Sequence, residues 1–86
     1  MNSHRNPFLE KPFLKTALIL FGKGLQEKNI PDELRKLNPA WDTTENILKK
    51  DFHRAADWFH VDNTRELFFI MLTSEEITVR DLQNWS

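Results

Sequence analysis

Between Thr43 and His60 the chain reads T-T-E-N-I-L-K-K-D-F-H-R-A-A-D-W-F-H, and its apolar residues return with the period of an α-helix. At about 100° per residue, Leu48, Phe52, Ala55 and Phe59 fall on one line, with Ile47, Ala56 and Trp58 widening it. A helix with so broad an apolar face needs other elements to cover it, and this requirement organises the rest of the chain. Its start is marked as well. Asp42 or Thr43 can accept a bond from an unpaired backbone N–H, and Glu45 stands three residues beyond Asp42 as in a capping box.

What covers that face is set by the remaining residues. Leu, Ile, Val and Phe make up 25 of 86, above the level of roughly 20% below which a chain stays disordered. Eleven Leu against five Ile and two Val favour helices over sheets, because pleated surfaces select β-branched side chains. The expected fold is therefore all-α: a small single-domain bundle of four to five helices spanning 12–86, preceded by an arm over 1–11. Asn2, Ser3, Asn6 and Pro7 give the arm no period; Phe8 and Leu9 make it a latch if they dock.

Pro12 opens the next segment, where Phe13, Leu14, Ala17, Leu18, Phe21 and Leu25 follow helical spacing and Ile19 falls off the face. A buried strand over Thr16–Phe21 is the rival. Gly22 and Gly24 each cost a helix roughly 1 kcal/mol, so a bend, a close helix crossing or an early end is expected there. Pro31–Leu37 reads as a two-turn helix with acids first and bases last, Leu34 and Leu37 facing inward. Asn38-Pro39-Ala40-Trp41 is a linker.

After His60, Asn63 and Glu66 repeat the cap-plus-acid pattern ahead of Leu67-Phe68-Phe69-Ile70-Met71-Leu72, a run apolar on every side. Such a helix is either wrapped by its neighbours or leaves part of itself exposed as a binding patch. Thr78 and Asp81 form a capping box for a last helix, with Ile77 and Leu82 as its hydrophobic staple. The alternative is α+β, with Glu66–Thr73 and Glu76–Leu82 paired as a C-terminal hairpin. Ser74-Glu75 argues against it by supplying neither Gly nor Asn for a tight turn.

Net charge is −1, with residues 61–86 at −3, so no global field recruits nucleic acid or an anionic membrane. Cysteine is absent, which removes disulfides, thiolate nucleophiles and cysteine-rich zinc sites. Ala17–Phe21 is too short for a secretory core or a membrane span, and the expectation is a soluble cytoplasmic protein.

Motifs for chemistry are weak. His53, Asp57 and His60 share a helix face and are of the residue types zinc accepts, but three ligands from two turns of one straight helix converge poorly on an ion. Phe21-Gly22-Lys23-Gly24 lacks the upstream glycine and the following Ser or Thr of a phosphate loop. No serine sits in a nucleophile elbow, and one small core leaves little wall for a pocket of roughly 300 Å³. The chain is expected to be no enzyme and to hold no cofactor.

Seven Phe and three Trp are a heavy load for one small core. Aromatic residues are enriched in interface cores, which makes Trp41, Phe68, Phe69 and Trp85 the candidate contact residues of a protein-binding module, an adaptor, inhibitor or regulatory subunit that meets another protein or itself. The alternative is a helix-turn-helix DNA-binding regulator reading base edges with Thr78, Arg80, Gln83 and Asn84. The acidic tail opposes it, since duplex binding neutralises phosphates with Lys and Arg.

Overall fold

A computed structural model describes residues 6–84, Asn84 through its backbone alone. Asn6 accepts a bond from the Phe8 N–H (3.0 Å) and Pro7 occupies the first turn, so Pro7–Glu10 forms one turn of helix, α1. It stops at Lys11, whose backbone is extended because Pro12 follows. The arm is thus helical over this turn: Phe8 packs against the core, whereas Leu9 points to solvent.

Phe13–Gly22 is α2, and it is a helix, not a strand. It ends where Gly24 takes φ +101°. The Leu25 N–H then reaches the Leu20 carbonyl (3.1 Å) and the Gly24 N–H the Phe21 carbonyl (3.0 Å), a Schellman closure. Gly22 marks the expected helix crossing, since a Cβ there would lie 2.2 Å from the ring of Phe68.

A 3₁₀ turn at Glu27–Asn29 leads into α3, Ile30–Leu37. Ile30, Pro31 and Leu34 are buried, but Leu37 is 45% exposed and does not face inward as its spacing suggests. It lies in the last turn, beyond the reach of the core. Asn38 is extended before Pro39, and its side chain accepts from the Ala40 N–H (3.0 Å).

The long helix, α4, spans Glu45–Trp58. Its cap is Thr44, whose hydroxyl accepts from the Ile47 N–H (3.3 Å), so the helix starts later than a cap at Asp42 or Thr43 requires. Thr43 is instead buried, its carbonyl accepting from Arg35 (3.1 Å). Leu48, Phe52, Ala55 and Ala56 are buried as the stripe predicts; Ile47 and Trp58 stand outside it. Asp51, 3% exposed, takes a place on the inner side.

Thr64–Thr73 is α5, capped by Asn63 through the Glu66 N–H (2.9 Å), and Val79–Asn84 is α6. The described residues contain no strand, and the alternative C-terminal hairpin is absent: its first arm is helical, and its second turns helical from Val79. Thr78 and Asp81 bond each other's backbone N–H groups (3.0 and 3.2 Å), and Ile77 beside them is buried, so local capping takes the groups a strand ladder would have used.

The six helices of the described residues enclose one core built from Leu14, Leu18, Ile30, Leu34, Leu48, Phe52, Leu67, Met71 and Ile77. The Cα radius of gyration, 12.3 Å, matches the roughly 12 Å of a compact chain this long. Helix α2 has α1, α3, α4 and α5 packed around it, which is why Ile19, off its stripe, is buried nonetheless. No helix among the described residues is long and apolar enough to cross a membrane.

Candidate partner-binding surface

The apolar run Leu67–Leu72 lies on α5, whose principal neighbours are α2 and α4. Leu67 and Met71 enter the core; Phe68, Ile70 and Leu72 are half-buried against it. Successive helix positions turn by about 100°, so Phe69 cannot share the direction of both Phe68 and Met71. It is 56% exposed, its ring 6.1 Å from that of Phe68 and tilted by 56°. Phe68 itself closes down on Gly22.

The other candidate contact residues separate. Trp41 is half-buried and packs on the core from the α3–α4 linker, where its backbone N–H donates to the Asn38 carbonyl (2.9 Å). Trp85 lies outside the described residues. Spacing sets Val79 with Leu82 and Trp85 on the inner edge of the last helix, but Val79, at the start of α6, is exposed instead.

Helix α6 is tied to α2 through charge. Lys15 Nζ stands 3.6 Å from Asp81, and Lys23 Nζ donates to the Leu82 carbonyl (2.7 Å). The backbone hydrogen bond from Thr78 holds the Asp81 carboxyl below its ordinary value against desolvation, which raises it, with the charge of Lys15 and side-chain hydrogen bonds from Thr78 and Lys15 adding to the lowering. Of the residues proposed to read bases, Thr78 caps the helix, Arg80 and Gln83 are exposed, and Asn84 is described through its backbone alone.

The remaining motifs take structural places. His53 Nε2 lies 3.6 Å from Asp57, but His60 sits past the end of α4 with φ +60°, and among the described residues no group of three His, Cys, Asp or Glu is arranged to hold a metal. Phe21-Gly22-Lys23-Gly24 closes the C-terminus of α2, where the Lys23 and Gly24 amides are spent on helix carbonyls and the dipole end is negative, the reverse of an anion cradle. An open groove of about 320 Å³ does exist, larger than the sequence led one to expect; Leu25, Asn29, Asp32, Glu33 and Lys36 line it. Lys36 pairs with Glu33 (3.0 Å) and Asp32 with Arg35, so its charges are already engaged.

One cluster escaped the sequence reading. Asp51 receives Lys11 Nζ at 2.7 Å and Arg54 Nη1 at 3.4 Å, and Arg54 reaches Glu10 at 2.7 Å. The available signal was an acid placed between Leu48 and Ala55 on the inner side of α4, which demands a buried counter-charge. Lys11, forty positions earlier, could not be named from spacing.

Comparison with known protein families, characterised proteins and solved structures finds no match.

Proposed function

We propose that this chain is a non-catalytic cytoplasmic protein-binding module, an adaptor, inhibitor or regulatory subunit, whose contact surface centres on Phe69. The observation that carries the reading is a large aromatic side chain, 56% exposed, in the middle of an apolar run, Leu67–Leu72, whose other residues are buried or half-buried against the core. Exposed aromatic anchors of this kind dominate interface energies because truncating one leaves a desolvated pocket on the partner. The acidic charge of residues 61–86 orients the approach.

The duplex-binding alternative draws on the same end of the chain and is separable by salt. Lys15 and Lys23 do approach α6, but they serve Asp81 and the Leu82 carbonyl. The test is a pull-down or self-association assay with Phe69→Ala, folding being checked first. Loss of association by about 2 kcal/mol or more, with little salt dependence, is the expected result. Duplex binding by the wild-type protein that falls steeply with salt and disappears in Arg80→Ala would reverse the assignment.

A further inference from the structure

The cluster around Asp51 is on α4, shares no residue with the Phe69 surface on α5, and supports a second binding surface. Helix α1 is a single turn joined to the body at Lys11–Pro12, and it lies on α4 and α2. Phe8 meets Phe59 at 6.0 Å, Pro7 is buried, and two ion pairs cross from α1 and its hinge to α4, Lys11–Asp51 and Glu10–Arg54, each 2.7 Å.

Such a contact rests on few residues. Ion pairs whose partners are partly exposed contribute little, and a carboxylate as buried as that of Asp51 carries a desolvation cost that in general offsets much of what its pairing contributes. An apolar residue at position 51 would clamp α1 more firmly. With Asp51 there, lifting α1 rehydrates the carboxylate, so the uncovered face of α4 tolerates water and selects a cation. Local openings below the global stability are general in proteins, and a helix of a single turn belongs to that class.

We propose that α1 is a displaceable cis occupant of a peptide-docking face on α4, and that the partner is a protein segment presenting an aromatic residue with a lysine three positions later. The chain supplies the template in Phe8 and Lys11: the ring meets Phe59 and the ammonium meets Asp51. The assignment is independent of the Phe69 surface.

The probe is an acetylated peptide of residues 6–12, Asn-Pro-Phe-Leu-Glu-Lys-Pro. A Phe8→Ala, Lys11→Ala variant of the full chain, its helicity verified, should bind the peptide at least about tenfold more tightly than wild type, because the cis segment no longer competes. Adding Asp51→Asn should abolish the gain. In the wild-type protein, peptide at millimolar excess, on the order of the effective concentration of a short tether, should move the amide signals of Leu9, Glu10 and Lys11 to unfolded-chain positions while those of α2 stay. Wild-type arm signals unmoved at that excess, binding unaffected by Asp51→Asn, or a dimer formed by exchange of α1 between copies would each overturn the proposal.

Discussion

Helices α2 and α5 are both ten residues long and both rich in large apolar side chains, yet six residues of α2 are buried and only Leu67 and Met71 of α5. The cause lies in their surroundings. Around α2 stand α1, α3, α4 and α5; α5 meets its principal neighbours α2 and α4 and keeps an outer side. A helix apolar on every side is therefore no statement about its own burial, because the topology assigns the central place once and the second such helix has apolar surface left over. In this chain the surplus is Phe69.

The contrast is broken most severely inside α2. Leu18→Ala should lower unfolding free energy by about 2–5 kcal/mol, the range for an emptied leucine site, in a urea titration. The matching truncation of Phe69 on α5 should stay within roughly 0.5 kcal/mol, as surface changes do. Equal losses at the two positions would mean that α5 is enclosed as fully as α2.

The crossing of the two helices gives the next effect. Gly22→Ala places a methyl group 2.2 Å from the Phe68 ring, and overpacking of this kind costs about 1–3 kcal/mol. In a Phe68→Ala background the same change should become favourable by about 0.5–1 kcal/mol, the helix preference of Ala over Gly. A double-mutant cycle without coupling would show that the ring does not rest on Gly22.

Smaller effects come from the helix ends. The closures of α2, α4 and α5 each use a residue of positive φ, Gly24 at 101°, His60 at 60° and Glu75 at 64°. His60→Gly and Glu75→Gly should each raise stability by up to about 1 kcal/mol, since the left-handed conformation costs side-chain-bearing residues roughly 1–2 kcal/mol and glycine repays part of that in backbone entropy. Gly24→Ala should lower it, although its side has open space, because the strain is in the backbone.

The last effect is electrostatic and bears on α6. The Asp81 carboxyl is held below its ordinary value of 3.8, so its contribution is present above that pH and is lost as pH falls through the lowered folded value. Stabilities of wild type and Asp81→Asn should therefore converge on acidification below about pH 4. A gap that persists at lower pH would show that the charge of Asp81 is not what secures α6.

Local chemistry was the legible part of this fold. Thr78, Asp81, Ile77 and Leu82 announced a capped helix within six positions, and the structure closes that box with bonds of 3.0 and 3.2 Å. The stripe of α4 was readable as well, though its cap moved to Thr44, because neighbouring threonines offer the same acceptor. Glu75 shows the limit of turn chemistry: no Gly or Asn marks the end of α5, yet Glu75 adopts the left-handed conformation that such residues favour, under tertiary constraint. What spacing does not carry is which helix becomes central and which charges meet. Ile19, Leu37 and Trp58 depend on neighbours distant in sequence, as does Lys11, and Phe68 finds Gly22 only once α2 and α5 cross.

The central claim is that Phe69 is surplus to the core and serves an intermolecular contact. Phe69→Ala measured in parallel by denaturant titration and by association tests it most directly. The account predicts an unfolding midpoint indistinguishable from wild type together with association weakened by about 2 kcal/mol or more. A fall in stability of several kcal/mol, or unchanged association with the fold intact, would contradict it.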